Sequence, residues 1–167
     1  MSKSISFDKN YAGSHIDSTG TAAANRAKRG EDMTQLEENI DVVKGIYAGM
    51  AQGDLEMILK PLASDVSWTG AEGFPYNGTF HGTEEIVSGV IAKLATEWDG
   101  YSATPKEFIG NDEKVVAIGD YSGTYKATGR SFRAPFVHVW TLKDRKVTHF
   151  VQHTDTAVVQ RAIAPIV

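Results

Sequence analysis

The residues best equipped for chemistry lie in two stretches near the end of the chain, 131–142 and 147–155. The first carries Phe136, His138 and Trp140 at alternate positions; the second carries His149, His153 and Asp155. An imidazole takes or relays protons near neutral pH, and a carboxylate beside it orients the ring and raises its basicity. If Asp144 and Arg145 form a two-residue hairpin turn, Lys143 pairs with Lys146 and Leu142 with Val147. Trp140 then faces His149, His138 faces Val151, and Phe136 faces His153. Alternate side chains share a face, so this register gathers His138, His153, Asp155, Phe136 and Trp140 on one side. Tyr121 and Tyr125 of the preceding stretch share a face with Gly119 and Gly123 and extend the set. A few polar groups among aromatic walls describe a site for a small apolar or aromatic molecule, worked on by acid–base chemistry. Each residue also has a structural reading. Single aromatics on strands usually fill cores, and a His on an apolar face, His149 above all, is usually a hydrogen-bonded structural residue.

A metal centre is the weaker reading of the same residues. His138, His149, His153 and Asp155 offer a nitrogen and oxygen donor set. However, His149 and His153 stand ~13 Å apart on an extended strand, too far to share an ion. Neither a metal nor a cofactor is expected. The phosphate-binding glycine loops, the nucleophile elbow and the calcium loop are absent, and His81-Gly82-Thr83-Glu84-Glu85 lacks a second His.

The elements that must position these residues follow from periodicity. Ile40, Val43, Ile46, Tyr47 and Met50 form one stripe of a helix from Gln35 to Ala51, which Gly53 stops. Asp54 caps a short second helix through Leu55, Ile58 and Leu59, ended by Pro61. Val66-Ser67-Trp68 reads as a strand and the segment 70–78 as a loop. Thr83 is placed to cap a third helix with Ile86, Val87, Val90, Ile91 and Leu94 on its apolar side. Beyond Trp98 the period drops from 3.6 to 2, and strands are expected over 115–125, 131–142 and 147–155. Three helices followed by an antiparallel meander make an α+β order. Gly119 and Gly123 inside a strand suit a sheet bent around the helices into a cone.

Composition narrows the partners. The 167 residues carry 17 Lys+Arg against 21 Asp+Glu, a net charge of −4, and a pI near 5.7. With no basic cluster, nucleic acid and anionic membrane surfaces are not expected partners. No stretch reaches the ~20 apolar residues of a membrane span. The absence of cysteine excludes disulfides and thiolate chemistry and fits a cytoplasmic setting. Residues 1–33 are poor in large apolar side chains and lack a signal-peptide core, so they read as an extension, flexible or packed on a partner subunit. The folded domain is expected over 34–163, with a short tail at 164–167.

The segment FVHVWTLKDRKVTHFVQHTDT (136–156), with GDYSGTYKATGRSFRAP (119–135) before it, resembles the SnoaL-like branch of the nuclear transport factor 2-like, or ketosteroid isomerase-like, superfamily. YNGTFHGTEEI (76–86) resembles its loop-to-helix entry and ASDVSW (63–68) its first strand. The resemblance implies three N-terminal helices on a strongly curved antiparallel or mixed sheet, forming a cone with an internal pocket. It also implies a homodimer joined through the sheet's outer face, where Val137, Val139, Thr141, Phe150 and Gln152 are expected. The superfamily includes cofactor-independent cyclases, isomerases and dehydratases as well as members without catalytic activity. By position, His138 and Trp140 match its H-x-W strand, Asp155 the aspartate closing the last strand, and Trp68 and Tyr121 wall positions. His153 stands where relatives often have Tyr. The implied function is a cofactor-independent lyase or isomerase acting on a small apolar carbonyl or polyketide-like compound. The expected catalytic residues are His138, Asp155, His153 and Tyr121; the expected wall is Trp68, Tyr76, Tyr125, Phe136, Trp140 and Tyr47. The alternative is a non-catalytic binding or accessory module of the same fold.

Overall fold

The computed structural model describes residues 33–165. The extension expected over 1–33 therefore lies outside the described residues apart from Met33. Helix α1 (Gln35–Gln52) starts in a capping box: the Thr34 hydroxyl accepts from the Glu37 amide, and the Glu37 carboxylate accepts from the Thr34 amide. It stops at Gly53, whose φ of 68° lets the chain turn away. Asp54 caps α2 (Leu55–Leu59) through the Met57 amide, as its position predicts.

Six strands follow: β1 (Leu62–Gly70), β2 (Gly78–His81), β3 (Trp98–Gly110), β4 (Lys114–Tyr125), β5 (Arg130–Lys143) and β6 (Lys146–Thr154). They form one open sheet in the order β2-β1-β6-β5-β4-β3, antiparallel throughout except where β1 runs parallel to β6. Between β2 and β3 the chain makes α3 (Gly82–Ile86), a π turn (Val87–Ile91) and α4 (Ala92–Glu97). The sequence places the cap of this helix at Thr83; it lies two residues earlier, at His81, whose amide donates to the Glu85 carboxylate. A last helix, α5 (Thr156–Ile163), closes the described chain. The α+β class and the helices packed on a mixed sheet are as the sequence indicates.

Two strands and one helix escape the periodicity reading. β2 is only four residues long, and β3 carries Gly100 and Pro105. Pro105 cannot donate to a ladder, but β3 is an edge strand and tolerates it. The register shifts between Pro105 and Glu107, next to Gly119 on β4. There β3 lies so close that a methyl at Gly119 would sit 2.2 Å from the Thr104 carbonyl oxygen. Of the two reasons for a glycine inside this strand, bending or close approach, Gly119 serves the second, which only glycine permits. The core lies between the helices and the inner face of β1, β4, β5 and β6, filled by Val43, Ile46, Val66, Ile86, Phe136, Trp140 and Phe150.

Candidate functional site

The hairpin turn forms where the sequence places it. Asp144 and Arg145 adopt φ values of 50° and 59°, Lys143 pairs with Lys146, and Leu142 with Val147. One residue later the register slips: Thr141 pairs with His149, leaving Thr148 as an extra residue whose hydroxyl donates back to the Thr141 carbonyl. Such a bulge shifts every later side chain of β6 to the opposite face. Trp140 therefore lies against Phe150 rather than His149, His138 against Gln152 rather than Val151, and Phe136 against Thr154 rather than His153. His149 and His153 are exposed, whereas Phe150 and Gln152, expected on the outer face, are buried.

The same slip removes the expected His138–Asp155 pair. Asp155 is exposed and caps α5, its carboxylate accepting from the Val158 amide at 3.2 Å. Asp155→Ala is expected to cost about 1 kcal/mol of stability through the lost cap and to leave the His138 NMR signals where they are. A shifted His138 signal would show that the two residues communicate.

In place of a carboxylate, His138 meets two tyrosines. It is 2% exposed. Its Nδ1 lies 2.6 Å from the Tyr47 hydroxyl of α1, and its Nε2 is hydrogen-bonded to the Tyr121 hydroxyl of β4. The Trp140 indole N–H donates to Tyr47 at 3.3 Å, and the Gln152 amide donates to Tyr121 at 2.8 Å. The Gln152 carbonyl oxygen in turn accepts from the Ala71 backbone N–H at 3.0 Å. Phe136 stacks on the imidazole with 4.1 Å between ring centres. Burial lowers the His138 pKa to about 3, with the charge on His153 acting in the same direction, so the ring is neutral at physiological pH. Burial raises the pKa of Tyr47, Tyr121 and Tyr101 above the usual phenol range, which keeps all three protonated.

This network borders a cavity of about 50 Å³, several times the ~10–15 Å³ that one water needs. Met50 of α1, Trp68 and Gly70 of β1, Phe74 and Tyr76 of the β1–β2 loop, Val90 of the π turn and Leu94 of α4 line it. Tyr101 and Ala103 of β3, Tyr121, His138, Phe150 and Gln152 complete the lining. No lining side chain carries a charge once His138 is neutral. Of the sequence-predicted residues, His138, Tyr121, Trp68 and Tyr76 reach the cavity. Tyr47, Phe136 and Trp140 stand behind His138 as its support, and Tyr125 packs on Trp98 away from the cavity. Tyr76 presents its ring, because its hydroxyl is engaged in donating to Glu97 and accepting from the Trp98 indole. Gln152, Tyr101, Phe74 and Phe150 are lining residues that the sequence reading missed. The signal for Phe150 and Gln152 was Trp140: a large apolar residue is a better cross-strand neighbour for it than His149. Among the described residues no three metal-ligating side chains come together, and no helix is long and apolar enough to cross a membrane.

Comparison with known proteins places this geometry. No functionally curated protein matches the chain. Among solved structures, an NTF2-like protein from Burkholderia thailandensis is 35% identical over 80% of this chain and 100% of its own, with a TM-score of 0.74. An NTF2-like protein of unknown function from Burkholderia pseudomallei is 32% identical over 80% and 100%, with a TM-score of 0.72. A protein named TerC, co-crystallised with polyporic acid, is 31% identical over 77% and 99%, with a TM-score of 0.70. The SnoaL-like domain model matches residues 43–150, from α1 through Phe150 of β6. The helices packed on a mixed sheet are thus the fold of the SnoaL-like domain family, to which this chain belongs.

Proposed function

We propose that the cavity takes a small, uncharged and mainly apolar molecule whose carbonyl or enol oxygen meets the Tyr121 hydroxyl. The chain then acts as a cofactor-independent lyase or isomerase of the cyclase or dehydratase kind. The observation that carries this reading is an uncharged, aromatic lining with one buried hydroxyl backed by His138 and Gln152. Donation from Tyr121 stabilises negative charge as it develops on the ligand oxygen, and the donors behind it strengthen that bond in a dry site. No carboxylate lines the cavity, so the substrates that suit it have an already acidic proton, such as β-diketones and hydroxyquinones. Polyporic acid, the molecule crystallised with TerC, is a hydroxylated quinone and supports that class. A ligand of its size requires the walls to open, because the cavity holds only a few heavy atoms.

Non-catalytic binding is the second reading, favoured by the engagement of both His138 nitrogens, which leaves no free base in the lining. One experiment separates the two. Wild type and Tyr121→Phe are titrated with cyclic β-diketones and hydroxyquinones, and solvent deuterium exchange at the acidic carbon is followed. Catalysed exchange that falls ~10²–10³-fold in the variant supports the enzyme. Binding without faster exchange supports the binding module, and no binding overturns both. We also propose a homodimer through the outer face of β4–β6, where Ile118, Val137, Val139, Thr141 and Val151 are half-buried in the single chain. Light scattering at micromolar concentration is expected to give twice the chain mass. From the absence of cysteine we infer that the protein works in the cytoplasm.

A further inference from the structure

We infer that Gln152 sets the direction of hydrogen bonding at Tyr121, so that the hydroxyl facing the cavity is a donor and never an acceptor. The argument is an account of protons. The Ala71 backbone N–H can only donate, so the Gln152 atom it touches is the carbonyl oxygen, and the other atom is the NH2 group. That NH2 donates to Tyr121 and occupies one lone pair of its oxygen. At the other end of the network, the Trp140 indole N–H can only donate, and it occupies a lone pair of Tyr47. Tyr47 must then place its own proton on its remaining hydrogen-bond neighbour, His138 Nδ1; otherwise a buried hydroxyl proton has no acceptor. A neutral imidazole whose Nδ1 accepts carries its proton on Nε2, and that proton goes to Tyr121. Both lone pairs of the Tyr121 oxygen are now filled. Its own O–H is left to turn to the cavity that Tyr121 lines.

The two ends of the network are held by donors that cannot reverse, a main-chain N–H and an indole N–H. Everything between them is therefore polarised toward the cavity. A ligand atom at Tyr121 must accept: a carbonyl, an enolate or an ether oxygen fits, and an N–H group does not. Gln152 touches no ligand atom in this account; it is a positioning residue acting through Tyr121. The inference deepens the ligand class proposed above, and its first test is independent of that class.

The first test is the ligand-free wild type. The imidazole 15N shifts of His138 are expected to show the Nε2–H tautomer with Nδ1 unprotonated. The Nδ1–H tautomer would overturn the inference, since Tyr121 would then give its proton to His138. The second test is Gln152→Glu, which keeps the shape and the bond from Ala71 but turns a donor into an acceptor. At a pH above the raised pKa of the buried carboxyl, set from the 13C titration of the introduced Glu, Tyr121 donates to the carboxylate, and a lone pair faces the cavity. Cyclopentanone, which only accepts, and pyrrole, which donates from its N–H, are small enough to serve as NMR-titrated probes. The ratio of their affinities is expected to move toward pyrrole by roughly tenfold or more in the variant, the scale of an unpaired buried polar group. An unchanged ratio would show that Gln152 does not set the direction. If wild type binds neither probe, the ligand class fails, and the tautomer alone decides the inference.

Discussion

Between pH 6.5 and 4 the protein is expected to lose about 1.4 kcal/mol of stability per pH unit through His138. The sign follows from burial. In the unfolded chain the imidazole takes up a proton near 6.5; in the fold burial depresses its pKa to about 3. A basic group with a depressed folded pKa leaves stability intact above the unfolded value and removes it as pH falls toward the folded one. Carried through to pH 3, the loss is on the order of 4–5 kcal/mol, a large share of what a domain of this size has. Asp120, whose carboxyl Lys106 and Arg133 hold below the usual range, acts with the same sign but only beneath about pH 4. Glu37, held low by its hydrogen bonds from Thr34, acts with the same sign from about pH 5 downward, so the window from 6.5 to about 5 isolates His138. Urea unfolding at several pH values checks this, with His138→Gln as the reference that lacks the slope. A His138 resonance titrating near pH 6.5 in the folded protein would refute it.

Trp140→Ala is expected to destabilise the fold by about 3–5 kcal/mol, the range of large aromatic-to-alanine changes in cores. Trp140 has no exposed surface and meets Tyr47, Trp68, His138 and Phe150 edge-on or tilted, with ring centres 4.5–6.2 Å apart. Its loss opens a cavity behind His138 and removes the donor that orients Tyr47. Trp140→Phe keeps most of the ring and loses the N–H, so it should cost clearly less while still disturbing the His138 tautomer. Denaturant midpoints at constant slope measure both. A cost below about 1 kcal/mol for Trp140→Ala would mean that the site collapses around the gap.

The local elements and the fold class were legible in the sequence because their signals are local or cumulative. The Ile40–Met50 stripe, the stop at Gly53, the cap at Asp54 and the turn at Asp144-Arg145 depend on neighbouring residues alone, and all four form where expected. The alternation Phe136, His138, Trp140 put those three on one buried face. Asp155 also carried a local signal that was available: an N-cap followed by Val158, Val159 and Ala162 at helical spacing. Which side chains meet His138 was a different kind of question. It turns on one extra residue, Thr148, in β6, and a bulge is decided by how two strands and the helices beneath them pack. That residue sends His153 to solvent and brings in Gln152. Likewise β3 becomes a strand despite Gly100 and Pro105, because β4 offers it an open edge. The sequence by itself determined α1, α2, the third helix, β1 and the β4–β6 meander, and put Phe136, His138 and Trp140 on one face. Only the tertiary structure decided that the partners of His138 are two tyrosines and not a carboxylate, since pairing register and burial depend on residues far apart along the chain.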